Sequence, residues 1–318
     1  MAKSCQLMAP QLADLFHKRA DKIWQTNSAS EELHSRAVVL SAGGFAFNPK
    51  MREEHLPEFS TVAPLGTQGD DGSGIDIGVA AGGSVSKMGN MSAWRFLYPP
   101  TALLEGVVVS QEGRRFVAED VYGAALSDIM VRRHQAKGFL ILDSRQWAKA
   151  RDQVFMQTNF PLLVQRLHWL YWGYKKASSL ELLADKFGIS AEALKTTVAS
   201  YNQAIRVSKG QEDLMRKAPE YCTPLSEPPY YGIDISTGVG GIQAVNGLTL
   251  GGLRVDGETG LVLTGTSEVI PGLYAAGRNA VGVCANGYVS GLSIADGVFS
   301  GKRAGEHAAQ QARRTNGA

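Results

Sequence analysis

The segment GLYAAGRNAVGVCANGYVSGLSIADG, Gly272 to Gly297, constrains the fold more than any other part of the chain. A short apolar strand runs into glycine, a loop of small residues follows, and helical spacing then holds from Ser290 to Ala312. A strand that ends in glycine and feeds a helix is the unit of an α/β nucleotide-type domain, where backbone must approach a ligand closely. Gly297, Gly301 and Gly305 stand four apart on that helix. They predict a bare face lying flat against a sheet or a cofactor. Asp296, Lys302, Arg303 and Glu306 exclude a bilayer for it.

The remaining segments agree with that class. RAVVLSAGGF (36–45) reads as a fully buried strand of the parallel-sheet kind, and GDDGSGIDIGVAAGGSV as a glycine loop feeding a short helix. LEGVVVSQEGRRFVAED predicts a hairpin turning at Gln111–Gly113, and FLILD a buried strand. Ser178 to Arg206 predicts two helices, the first with a capping box of Ser178 and Glu181 and a stop at Gly188. GGLRVDGETGLVL predicts a second hairpin turning at Asp256–Gly260. Residues 1–34 read as a weakly amphipathic helix on Leu12, Leu15, Phe16 and Ile23, then a polar loop from Thr26 to Ser30.

Composition narrows the function. The 318 residues carry a formal net charge of +2 with no block of like charge, which argues against nucleic acid and anionic membranes. No run of about 18 uncharged apolar residues spans a membrane, and charges at Asp14, Lys18 and Arg19 interrupt any signal peptide. Three scattered cysteines, Cys5, Cys222 and Cys284, fit a reducing, cytoplasmic setting, and the six histidines show no metal-ligand spacing. The 36 glycines are the outlier; they cluster beside apolar runs.

Taken in order, AVVLSAGGF, GDDGSGI, EGRRFVAEDVYG and GLYAAGRNAVGVCANGYVSGLSIADGVFSGKRAGEHAA resemble the FAD-dependent fumarate reductase/3-ketosteroid dehydrogenase flavoproteins over residues 35 to 312. The resemblance implies an α/β fold: a Rossmann-like, parallel-sheet FAD-binding domain, here incomplete, with an inserted α+β substrate domain. It divides the chain into a divergent leader (1–34), FAD-binding parts (35–90 and 231–318) and a substrate domain (91–230). Fumarate reductases hold a dicarboxylate with arginine and histidine in the last block. CANGYVSGLS has neither and looks like the branch that desaturates 5α-3-ketosteroids between C4 and C5.

Within that resemblance, Tyr288 is the expected acceptor of the α-proton beside the ketone, while flavin N5 takes hydride from the β-carbon. Ser290 is expected to donate to the Tyr288 oxygen, and Tyr122 to the substrate carbonyl. The first turn of the last helix, with Gly291, Leu292 and Ser293, offers unpaired N–H groups to the reduced ring. Ala42, Gly43 and Gly44 are expected near the adenylate and pyrophosphate, Gly72 and Gly74 near the flavin or ribityl chain, and Gly277 and Arg278 over the pyrophosphate. Blander readings stand beside these: Tyr288 and Tyr122 as packing aromatics, Ser290 as an N-cap, Ala42–Gly44 as a tight turn, and Arg278 in a surface salt bridge. Asp71 stands two residues away from the family's usual acidic position. Arg114 and Arg115 read as a solvated hairpin end, and LHWLYWGY (167–174) as core or as the wall of a steroid pocket.

The family's GxGxxG occurs nowhere in the chain; Gly238, Gly240 and Gly241 come close in spelling but in the wrong context. The chain is expected to enter the family's pattern after its first third, with the missing FAD-binding segment supplied in cis or by a second polypeptide. Three readings stay open: a steroid-type flavin dehydrogenase with an unknown electron acceptor, a fumarate-reductase-type ene-reductase on another substrate, and a flavin-free remnant acting as a binding module.

Overall fold

Strand β1 (Val38–Leu40) runs parallel to β12 (Val269–Ala275), with Val38 opposite Leu273 and Leu40 opposite Ala275. The computed structural model describes residues 10–29, 31–160, 162–208 and 211–316. Along it follow α1 (Pro10–Asn27), β1, α2 (Pro49–His55), β2 (Ala63–Pro64), α3 (Ser73–Ala80), β3 (Val85–Ser86), β4 (Met91–Ala93) and β5 (Val107–Val109). The middle of the chain holds α4 (Gly123–Arg133), β6 (Phe139–Leu142), α5 (Ser144–Gln157), α6 (Leu162–Tyr171), β7 (Tyr174–Ala177), α7 (Leu180–Phe187), α8 (Ala191–Ser208) and β8 (Tyr230–Asp234). Then come β9 (Asn246–Thr249), β10 (Gly252–Leu253), β11 (Leu261–Leu263), β12 and α9 (Leu292–Asn316).

The chain is a mixed α/β protein of several sheets. Among the described residues, parallel pairing joins β1 to β12 and β2 to β9; the other pairs are antiparallel. The expectation of a fully buried β1 is corrected: Val38 and Val39 are 49% and 39% exposed, and only Leu40 is buried. The sheet order β1-β12-β11 leaves β1 at an edge, so an apolar run made for an interior strand meets solvent.

The largest sheet, β5-β6-β8-β7, lies wholly within residues 107–234. Its two faces follow the period-two rule. Val108, Leu140, Leu142 and Ile233 join Trp147, Val154 and Trp169 in one core, while Val107, Val109, Phe139 and Ile141 join Leu183, Leu194 and Val198 in another. Helix α5 starts at a capping box of Asp143 and Gln146, and α7 ends at Gly188 in the left-handed conformation. The N-cap of α7 is Ser179, whose hydroxyl accepts from Leu182 N–H, and not Ser178. The predicted hairpins close: Ser110 N–H donates to Arg114 O, and Asp256 N–H to Leu261 O. In LHWLYWGY, Trp169 and Leu170 are fully buried in the core and Trp172 is 73% exposed.

Arg115 corrects the solvated hairpin end. Its guanidinium is buried against Glu119 and Asp213, and Lys217 Nζ lies 2.9 Å from the same glutamate. Arg95 and Arg166 are also buried, each satisfied mainly by backbone carbonyls: Ile235, Ser236 and Gln243 for the first, Phe96 and Pro99 for the second. Burial pulls them down to about 10 and about 9. Their guanidiniums flank the Trp169 ring and fix the segment that follows β4.

The glycine face of α9 lies against no sheet among the described residues, which leaves the cofactor half of the expectation open. A Cβ on Gly297, Gly301 or Gly305 would meet nothing within 4 Å. The helix packs through other residues, with Ala304 fully buried beside Leu261 and Tyr274. Helix α1 exposes Phe16, Ile23 and Trp24; the side chains of Leu12 and Leu15, and Cys5 and Ser30, lie outside the described residues. Among the described residues no helix is long and apolar enough to cross a membrane.

Candidate active site

The tyrosines of two distant segments converge at the mouth of α9. Tyr122 is the residue that opens α4, and its hydroxyl lies 2.7 Å from Ser290 Oγ, 168 residues away in sequence. The backbone N–H of Ser290 donates to the same phenol oxygen at 3.0 Å, and so does Trp94 Nε1 at 3.1 Å. Tyr288 bonds instead to Ser293 Oγ at 2.9 Å, so the expected Ser290–Tyr288 pairing is replaced by two pairs: Tyr122 with Ser290, and Tyr288 with Ser293. The Trp94 ring meets Tyr288 edge-on, with centroids 5.2 Å apart. Leu248, Leu250, Cys284 and Leu292 complete the packing around these rings.

The approach to Tyr122 is rigid. The Glu119 carboxylate, three residues earlier, accepts from Val108 N–H, both Nε and Nη2 of Arg115, and Lys217 Nζ. Next to the paired phenols lies a cavity of about 580 Å³. Met91, Leu250, Val289, Ala124 and Ala125 give it an apolar wall beside Tyr122 and Tyr288, and Asn90, Ser92, Asp128 and Asn286 line the rest. Arg132, the cationic residue among those lining it, is already bonded to Asp128 and Glu58. A second cavity of about 550 Å³ lies against Arg115 and Asp213, whose charges are spent on each other.

The residues expected near the cofactor gather around two side chains that sequence reasoning missed, Asp70 and Asn279. Asp70 is buried, accepts from Gly44 N–H and Thr67 N–H, and pairs with Arg278 at 2.6 Å. Arg278 is thus held in a salt bridge. Asp71, the acid considered from sequence, instead accepts from Ser73 N–H, and the Ser73 hydrogen bonds hold its carboxyl below the usual range. Ala42 N–H donates to Asn279 Oδ1, and Gly72 N–H to Gly44 O. Gly74 is required there, since a Cβ would lie 2.1 Å from Asn279 Oδ1. Gly43, beside Asp70, has φ +91°. Gly277 N–H donates to Ser300 Oγ on α9, so one helix carries both clusters, with Ser293 and Ser300 roughly 10 Å apart along it at 1.5 Å per residue.

The donor set fits an adenine-dinucleotide cofactor. Arg278 Nη1 and Asn279 Nδ2 are buried without a hydrogen-bond partner among the described residues, and phosphate or ribityl oxygens are the acceptors such donors need. The bare glycine face of α9 adds room for a flat group. At the helix mouth, Gly291 (φ +89°) turns the chain, Leu292 N–H bonds to Val289 O, and Ile294 and Ala295 N–H both bond to Gly291 O. Among the described residues no turn or cap hydrogen bond engages Ser293 N–H, which lies at the positive end of the helix dipole.

Comparison with known proteins agrees with this geometry. The chain is 35% identical over 218 residues to a 3-oxo-5-alpha-steroid 4-dehydrogenase of Comamonas testosteroni, which covers 67% of the chain and 40% of that protein. It is 28% identical to a fumarate reductase (cytochrome) of Shewanella frigidimarina, over 87% of the chain and 46% of the relative. Among solved structures, the 3-ketosteroid-delta4-(5alpha)-dehydrogenase of Rhodococcus jostii RHA1, in complex with 4-androstene-3,17-dione, superposes with a TM-score of 0.71 at 32% identity, covering 86% of this chain and 53% of that one. The chain thus spans about half the length of the relatives it matches. A family model described as an FAD binding domain matches residues 12–294, and the chain belongs to that FAD-binding family.

Proposed function

We propose that this chain is the catalytic part of an FAD-dependent dehydrogenase that desaturates a 3-ketosteroid between C4 and C5. The observation that carries the proposal is the pair of phenols at the mouth of α9, each bonded to a serine, beside a cavity with an apolar wall. In this reading Tyr288 acts as the tyrosinate, its own proton having left through the Ser293 hydroxyl that it bonds; it takes the C4 proton, and the electron pair of that C–H bond becomes the new double bond. The Tyr122–Ser290 pair donates to oxygen that gains negative charge. FAD, when bound, supplies the acceptor for the C5 hydride. Arg278, Asn279, Ala42 and Gly44 would hold its phosphates and sugar, and the first turn of α9 would meet its ring. The apolar wall of Met91, Leu250 and Val289 would meet the steroid rings.

The engaged state of Arg132 favours a steroid over a dicarboxylate, because a cation already paired has little to offer a second carboxylate. Pyrophosphate binding draws on a GxGxxG strand that these 318 residues do not contain, supplied in cis or by a second polypeptide. The sheet of residues 107–234 supports a substrate domain inserted between two FAD-binding parts.

The test is steady-state turnover by FAD-loaded protein complemented with a GxGxxG segment from a relative. With an artificial electron acceptor it should oxidise a 5α-3-ketosteroid; with an artificial donor it should leave fumarate untouched. Reduction of fumarate with no steroid oxidation would assign the site to the ene-reductase reading. A complemented protein that takes up no FAD would support the flavin-free binding module.

A further inference from the structure

Trp94 lies between the two phenols, and counting donors decides what it does there. Tyr122 Oη is 3.1 Å from Trp94 Nε1 and 3.0 Å from the backbone nitrogen of Ser290. An indole N–H and a peptide N–H can only donate, whereas a hydroxyl oxygen accepts through its lone pairs and donates one proton. With two N–H groups already aimed at its oxygen, Tyr122 has no room to accept a third donor. Its 2.7 Å contact with Ser290 Oγ therefore has one polarity: the phenol donates and the serine accepts. The proton of Ser290, an exposed residue at the site mouth, is left as the free end of a chain running Trp94 to Tyr122 to Ser290.

We propose that Trp94 is a positioning residue whose indole N–H orders this chain, so that Ser290 presents a hydrogen-bond donor to an oxygen that gains charge in the reaction. Trp94 is held independently of the phenols. Its backbone N–H donates to Asn246 O at 3.2 Å, and the backbone N–H of the next residue, Arg95, donates to Gly123 O at 3.1 Å, one residue beyond Tyr122. The buried Arg95 side chain anchors the same turn to three carbonyls. The indole thus arrives at the phenol from a fixed backbone. Without it, Tyr122 regains a free lone pair, can accept from Ser290 Oγ, and the chain loses its direction.

The inference rests on the steroid-dehydrogenase reading for its consequence in turnover, but its hydrogen bond is testable without turnover. In a ¹⁵N–¹H spectrum of the chain's five indoles, Tyr122→Phe should move the resonance that Trp94→Phe deletes and leave the other four in place. In FAD-loaded, complemented enzyme, Trp94→Phe keeps a ring edge against Tyr288 but removes the donor. It should lower kcat about tenfold, the cost of one well-placed hydrogen bond, with KM changed less than twofold, and should add nothing in a Tyr122→Phe background. A Trp94 indole resonance indifferent to Tyr122→Phe would overturn the proposal. So would a Trp94→Phe penalty that is undiminished in the Tyr122→Phe background. If the wild type turns over no ketosteroid, the functional reading fails and the indole spectrum decides the positioning role alone. Should Trp94→Phe not fold, Tyr122→Phe, which leaves the indole in place, must still move one resonance of the five.

Discussion

Arg95 and Gly123 touch backbone to backbone: the Arg95 N–H donates to Gly123 O at 3.1 Å, and a Cβ on Gly123 would lie 2.7 Å from Phe96 Cδ1 and 3.0 Å from Arg95 C. This approach brings the start of α4, and with it Tyr122, against the turn that carries Trp94. Gly123→Ala must push the two segments apart. The expected cost is about 1–3 kcal/mol of overpacking, read as a lower Tm, with weaker coupling between Trp94 and Tyr122. An unchanged Tm would mean that the turn yields freely.

Tyr288→Phe removes the proposed proton acceptor and leaves the ring packed on Trp94. Turnover should fall roughly 10²–10⁴-fold, the usual size of a general-base contribution, with the melting curve unchanged. Because the phenol bonds to Ser293, Ser293→Ala should also slow turnover, though less. Near-normal turnover of the Phe variant would remove Tyr288 from the chemistry.

Gly301 separates folding from cofactor binding. Nothing lies within 4 Å of a Cβ there, so Gly301→Leu should leave the Tm of the flavin-free chain unchanged or raise it slightly, as leucine is the better helix former. Against a flat cofactor the same side chain should weaken FAD binding, measured by flavin fluorescence. A lower Tm without flavin would show that the face is covered by protein.

Asp213 gives the acid limb of stability a specific cause. Burial by itself pushes its carboxyl up, but the Arg115 guanidinium and the N–H groups of Lys217 and Met215 outweigh this and hold it below its ordinary value. A depressed carboxyl contributes stability that is fully present above its unfolded value, about 3.9, and is lost as pH falls through the lower folded value. Asp213→Asn should therefore melt well below wild type at pH 7, with the gap closing below pH 4. A gap that is independent of pH would assign the loss to packing.

What the sequence revealed and what it hid divide along physical lines. The strand, loop and helix of 271–312, the buried apolar run of β6, and the glycine loop at 72 and 74 were legible because local backbone demands and apolar runs are written in adjacent residues. VVL alone reads the same on an edge as in the middle, and the exposure of β1 is legible only through the GxGxxG strand that these residues lack. Arg115 was misjudged because Asp213, 98 residues away, neutralises it. Asp70 and Asp71 are neighbours of one chemistry, and burial alone selects the first. Trp94 carries no motif; its role depends on a helix start and a loop that meet it from residues 122 and 290.

Single-turnover reduction without oxygen asks whether the Tyr122, Tyr288 and Ser290 cluster desaturates a 3-ketosteroid using FAD. FAD-loaded, complemented protein mixed with a 5α-3-ketosteroid should lose its visible flavin absorbance in step with formation of the conjugated enone. Tyr288→Phe should slow that loss roughly 10²–10⁴-fold. Flavin absorbance that persists under excess steroid but disappears with succinate would contradict the account.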